Sequence, residues 1–171
     1  MFSKIFPQIH AEGYKFLVIA GIITIIFYTL SNLLGLIGLV LTVWVYYFFR
    51  DPDRIPIDDD NYLISPADGE VIKVEEVDGP KELNLENKKF KKISIFMNVF
   101  DCHVNRTPCS GRIDEILYKP GKFFNASLDK ASEDNERNYY KIKDQQNNDI
   151  IVVQIAGLIA RRIVCESNKD Q

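Results

Sequence analysis

The residues best suited to chemistry gather in three places. The first is Asp101-Cys102-His103, at the end of the run KKISIFMNVF (91–100). Imidazole titrates near neutrality without help, so His103 is the leading acid–base candidate; a histidine satisfied by backbone contacts is the alternative. The other histidine, His10, lies in a different part of the chain. Neighbours on a strand point to opposite faces, so Cys102 and His103 make a poor nucleophile–base pair, leaving Cys109 or Cys165 as partners for His103. Cys102, His103, Cys109 and Cys165 lack the paired spacing of zinc ligands, so no metal is expected, and buried apolar thiols suit them better. The second place is Ser65-Pro66-Ala67-Asp68-Gly69, a turn by composition, whose aspartate could also orient a histidine or accept a proton. The third is basic and aromatic: Lys122-Phe123-Phe124, Lys130, Arg137 and Arg161-Arg162. Cations beside a membrane could hold a phospholipid head group; solvated surface charge is the other reading.

The elements that must carry these residues are mostly strands. NYLISPADGEVIKVEEV alternates around its Pro-Ala-Asp-Gly turn and reads as strand, turn, strand. DGPKELNLENKK (78–89) reads as a polar loop, and KKISIFMNVF as a buried strand. RIDEILYK (112–119) alternates again, and Pro120-Gly121 breaks the chain. FFNASLDKASEDNER is a loop or short helix. NYYKIKDQQNNDIIVVQIAG is a hairpin turning at Asn147-Asn148-Asp149, and LIARRIVCE closes with a further apolar stretch. Five or six strands in residues 62–171 predict a compact β-rich domain, joined by a linker (50–61, RDPDRIPIDDDN) to what precedes it.

What precedes it is physically different. Residues 1–49 carry only Lys4, Glu12 and Lys15, and the 34 residues from Phe16 to Phe49 carry no charge. As one helix they would span about 50 Å, against a hydrocarbon core of about 30 Å. Ser31-Asn32, the most polar pair in the run, divides it into two shorter apolar helices. Gly21, Gly35 and Gly38 suit close packing in lipid, and Trp44, Tyr46, Tyr47, Phe48 and Phe49 form an aromatic belt before Arg50. A membrane-associated hairpin (1–49) follows, with Lys4, Lys15, Arg50 and Arg54 on one side, which the positive-inside bias makes cytoplasmic. The fold class is thus α+β: a mostly β catalytic domain behind an N-terminal hydrophobic helical hairpin. The chain's net charge is −3, which excludes a strongly basic nucleic-acid binder. Three cysteines without a CxxC exclude a disulfide framework and suit a reducing compartment.

Together, FFRDPDR, SPADGEV, FMNVFDCHVNRTPCSG, YKPGKFFNASLDKASEDNER and VVQIAGLIARRIV resemble the phosphatidylserine decarboxylase family in its short prokaryotic form, over nearly the whole chain. The resemblance implies an inner-membrane enzyme of phospholipid biosynthesis, converting phosphatidylserine to phosphatidylethanolamine. It implies a proenzyme that cuts itself between a Gly and a Ser, giving a large β chain and a small α chain. The serine becomes a covalent pyruvoyl group, with which the substrate amine forms a Schiff base before CO2 is lost. By position, Asp68 matches an aspartate implicated in self-cleavage and His103 a histidine associated with decarboxylation. Asp101 would orient His103, since i and i+2 share a strand face. Lys130, Arg137, Arg161 and Arg162 are the head-group candidates. Implied partners are phosphatidylserine, the bilayer, the α chain and, as a further possibility, a second copy of the enzyme.

Two departures accompany the resemblance. The longer branch of the family has a second histidine three residues after the first, where this chain has Arg106. The 171 residues also hold no Gly-Ser dipeptide, and their last glycine is Gly157. The expectation is that the pyruvoyl-forming serine lies beyond Gln171 and that this chain alone, as most of a β subunit, is inactive. The competing reading is a non-catalytic membrane-anchored adaptor module of the barrel-sandwich type, in which Asp68-Gly69 is only a turn. That reading gives His103 no task.

Overall fold

A computed structural model describes residues 6–57, 59, 61–125 and 134–171. Its contacts divide the chain into two compact units: Met1–Asp58 with Ala67–Glu70 and Met97–Arg106, and Asp59–Pro66 with Val71–Phe96 and Thr107–Gln171.

The first unit is a helical hairpin closed at its open end by a small ladder. Strand β1 (Gln8–Ile9) leads through a 3-10 turn (Ala11–Gly13) into helix α1 (Tyr14–Leu30). Helix α2 (Asn32–Phe48) follows, and strand β2 (Arg50–Asp51) returns to pair antiparallel with β1, Gln8 opposite Asp51 and Ile9 opposite Arg50. The break falls at the predicted pair. Ser31 is extended, with φ −167° and ψ 139°, and its hydroxyl accepts from Leu33 N–H at 3.3 Å, capping α2. Because β1 and β2 pair and His10 N–H donates to Phe49 carbonyl (2.9 Å), both ends of the hairpin lie together.

The seam between the helices is narrow and partly polar. A Cβ added at Gly38 would come within 2.9 Å of Thr24 Oγ1, and one at Gly35 would run into the Tyr28 ring. The Thr24 and Thr42 hydroxyls meet across the seam at 2.8 Å, and each also lies 2.9 Å from a carbonyl of its own helix, Ala20 and Gly38, so their two protons are shared among three contacts. Elsewhere the helices expose isoleucine, leucine and valine all round, a surface suited to lipid. Gly21 does not join the seam: nothing lies within 4 Å of its added Cβ. The two positions therefore separate experimentally. Gly38→Leu should cost about 1–3 kcal/mol by overpacking. Gly21→Ala should be neutral or gain up to about 1 kcal/mol of helix propensity. Melting in detergent micelles reads both.

The second unit supplies the β-rich part of the α+β fold. Strand β3 (Glu70–Asp78) pairs with β4 (Lys89–Phe96) in a two-stranded sheet. Strands β5 (Gly111–Lys119), β6 (Arg137–Asp144) and β7 (Asp149–Ile155) form an antiparallel sheet in that order. Its register sets Leu117 opposite Tyr139 and Tyr139 opposite Val153, with a bulge between Ile113 and Glu115. The β6–β7 turn is the one expected: Asn147 takes a left-handed φ of 65°, and Asp144 Oδ1 accepts from Gln146 and Asn148 N–H.

Several elements differ from expectation. Residues 62–66 form no strand, since Pro66 removes a donor and restricts the residue before it. The stretch 78–89, read as a polar loop, carries a 3-10 turn (Lys81–Leu83) and two core residues. Leu83 and Leu85 are 3% and 6% exposed and pack with Tyr139, Phe90, Leu117 and Ile151. The strand expected over 91–100 stops at Phe96, and it is not buried throughout: Ile93 is 55% exposed. LIARRIVCE is irregular. Of FFNASLDKASEDNER, residues 126–133 lie outside the described residues.

Candidate active site

The site residues of the first unit are built on a rigid turn. Asp101 N–H donates to Asn98 carbonyl (3.0 Å), Asn98 N–H to Asp101 Oδ2 (2.8 Å) and Phe100 N–H to Asn98 Oδ1 (2.8 Å). Residues 101–103 are therefore a bend and irregular chain, not the end of a strand. That corrects the geometry assumed for two of the candidates. Cys102 and His103 are not held apart by strand pleating: the Cys102 thiol is buried and donates to Arg50 carbonyl (3.2 Å). Asp101 meets His103 through its backbone carbonyl, 3.1 Å from Nδ1, while its carboxylate closes the turn.

A carbonyl can only accept, so Nδ1 carries the proton and Nε2 bears the lone pair. The imidazole lies on the Phe48 ring, centroids 4.3 Å apart and planes 26° apart. Burial pushes its pKa below the ordinary histidine value; the carbonyl bond and charge of Asp101 oppose that, and the Arg50 charge adds to it. The Asp101 carbonyl thus fixes Nδ1 as the protonated nitrogen and leaves Nε2 as the ring's acceptor atom.

The frame around this turn comes from RDPDR, a stretch read from composition as a linker. Arg50 donates to Tyr47 carbonyl (2.7 Å) and Phe100 carbonyl (2.9 Å). Asp51 takes an ion pair from Arg106, which also donates to Pro52 carbonyl (2.9 Å). Arg54 pairs with Asp68. Asp68 sits in the predicted turn, which Gly69 completes at φ 143°, a conformation side chains disfavour. The sequence signal was present as alternating charge, Arg-Asp-Pro-Asp-Arg, but its partners lie far along the chain. Asp68, Asp101 and His103 share one unit, and no hydrogen bond links Asp68 to His103 among the described residues.

The basic candidates fall in the second unit. Arg137, on β6, is buried; its Nε donates to Asn135 carbonyl (3.2 Å) and its Nη1 to the Tyr139 hydroxyl (3.4 Å). Arg161 and Arg162 are exposed, Arg161 with Nε on Leu158 carbonyl (3.0 Å). Lys130 lies outside the described residues.

Comparison with known proteins gives a consistent result. The family model described as "Phosphatidylserine decarboxylase" matches residues 41–171. A phosphatidylserine decarboxylase proenzyme of Pelagibacter ubique is 78% identical over 171 residues, covering 100% of this chain and 80% of that protein. Proenzymes of the same name from Ruegeria pomeroyi and Rickettsia typhi are 54% and 47% identical. They cover 93% and 99% of this chain, and 73% of each relative. Nothing in these matches supports the adaptor-module reading.

Proposed function

The chain belongs to the phosphatidylserine decarboxylase family, and on that premise we propose how its residues divide the work. Its activity is the decarboxylation of phosphatidylserine in phospholipid biosynthesis, and it is made as a proenzyme. In our reading, His103 is the proton carrier of the reaction. The observation that carries this reading is the fixed tautomer, Nδ1 tied to Asp101 carbonyl and the ring held on Phe48.

Nε2 takes a proton from the substrate ammonium, which frees the amine as a nucleophile. It returns a proton to the carbon that has lost CO2, so the imidazole ends the cycle as it began. Asp101 positions the ring through its carbonyl. A pyruvoyl group, derived from a serine of the α chain, would supply the electrophilic ketone and the sink for the electron pair that CO2 leaves behind. The residues present suit such a group, because a neutral, half-buried imidazole is the partner a ketone-based decarboxylation needs. Asp68 serves self-cleavage, taking the proton of the attacking hydroxyl. Arg161, Arg162 and Lys130 are the cations offered to the lipid phosphate; Arg137, occupied inside its unit, is the weakest of the four.

We further propose that residues 1–49 anchor the enzyme in the inner membrane, with residues 62–171 forming the catalytic domain on the cytoplasmic side and 50–61 joining them. Supporting this are the exposed apolar helices and the meeting of both hairpin ends near Lys15, Arg50 and Arg54. Expressed full-length, the protein should stay with the membrane pellet through an alkaline wash. Unwashed membranes should release CO2 from carboxyl-labelled phosphatidylserine. Protein found wholly in the supernatant would overturn the anchor.

A further inference from the structure

Phe100 is 71% exposed at the tip of a turn that has no slack, its backbone held by three hydrogen bonds between Asn98, Phe100 and Asp101. That turn rests on the exit end of α2. The indole N–H of Trp44 donates to Val99 carbonyl (3.2 Å), and Arg50 donates to Phe100 carbonyl (2.9 Å). Phe48, tilted against Trp44 with centroids 5.5 Å apart, carries the His103 ring. A rigid turn displaying a bare aromatic ring beside an aromatic belt has the form of an interfacial wedge.

We propose that the 98–101 turn seats in the lipid interface, with Phe100 entering the bilayer surface beside Trp44 and thereby fixing His103 at head-group depth. The inference rests on the anchor reading of the hairpin. A bilayer is favoured as the occupant for two reasons. The exposed apolar surface of α2, with Leu36, Val40 and Val43, belongs to the same unit and ends in the belt that holds the turn. The charge pattern also agrees: Asp101 turns a carboxylate oxygen inward to Asn98 N–H, while the guanidinium of Arg50 sits at the turn, matched to lipid phosphates. The substrate ammonium would then reach Nε2 without the lipid leaving its leaflet.

Trp44 is the only tryptophan, which makes depth measurable. The full proenzyme is reconstituted in vesicles of phosphatidylcholine and phosphatidylserine carrying lipids brominated at graded depths along the acyl chain. Trp44 of the native protein reports the anchor. The double variant Trp44→Phe/Phe100→Trp reports the turn. The indole introduced at position 100 should emit to the blue of its value in detergent-free water. It should also be quenched at least twofold, most strongly by the shallowest bromines. Quenching by aqueous acrylamide with no response to bromine, while Trp44 of the native protein does respond, would overturn the seat and leave the anchor standing. If neither indole responds, anchor and seat fall together. Should Trp44→Phe cost the fold, Phe100→Trp alone carries the test. It should add a second, shallow-quenched component, and a component seen only by acrylamide would overturn the proposal.

Discussion

His103→Ala in the complete proenzyme should fold, reach the membrane and lose decarboxylation by about 10²- to 10⁴-fold, the usual weight of a positioned acid–base group. The loss is expected in kcat, because the imidazole moves a proton and does not grip the lipid. Among the described residues His103 gives up one hydrogen bond and one ring contact, so the fold should survive the change. Phe48→Ala tests the support: the ring loses its platform but keeps its Nδ1 bond, and a smaller fall in kcat is expected. The pH profile gives an independent reading. Burial, aided by Arg50 and opposed by Asp101, lowers the pKa, so the base stays neutral further into acid than an ordinary histidine would. Activity limited by this group should therefore fall on a limb below about pH 6.5. Phosphatidylethanolamine formed at the native rate by His103→Ala would remove this residue from the chemistry.

The fold was legible where one local signal had no competitor. Ser31 and Asn32 are the polar pair of an otherwise apolar run, and Ser31 has the side chain to cap the next helix. Asn147 and Asn148 mark their turn because asparagine tolerates a left-handed φ and bonds its own backbone. Composition misled where polar neighbours surrounded a few decisive residues. Leu83 and Leu85 sit among lysine, glutamate and asparagine, yet they bury themselves against Tyr139 on a strand more than fifty positions later. Residues 50–61, read as a linker from Pro52, Pro56 and the aspartates, also carry long-range ion pairs that composition does not reveal. The partners, Arg106 for Asp51 and Asp68 for Arg54, could not be found from any local period.

The site shows the same division. His103 could be singled out by scarcity and by the string around it, and so could the Asp68-Gly69 turn. Which oxygen of Asp101 would hold the imidazole could not, since that depends on whether the chain is still a strand at residue 101. Once Asn98 and Asp101 close a turn, the carboxylate is engaged and the carbonyl takes over. Arg106 follows a similar logic. Its guanidinium is committed to Asp51 and Pro52 carbonyl, so this position braces the frame and offers no base.

Asp68→Asn should leave the proenzyme uncut. The ion pair with Arg54 is exposed, with side-chain exposures of 37% and 46% for Asp68 and Arg54. Pairs of that kind contribute about 0–1 kcal/mol, so the variant should melt within a few degrees of the native protein. A loss of processing would then be chemical rather than structural. Asparagine keeps the shape of the side chain and its hydrogen-bond acceptor toward Arg54, but it cannot hold the proton of an attacking hydroxyl. Self-cleavage should slow by about 10²-fold or more, measured as the chain split on gels and by mass spectrometry of intact protein. The native enzyme should yield two chains, the smaller beginning with a pyruvoyl group. Arg54→Gln separates the roles further. It leaves the Asp68 carboxylate in place but releases it from its partner, so cleavage should be slower than native and faster than in Asp68→Asn. Asp68→Asn splitting at the native rate would return this aspartate to the role of a turn residue, and the proton would have to be sought elsewhere.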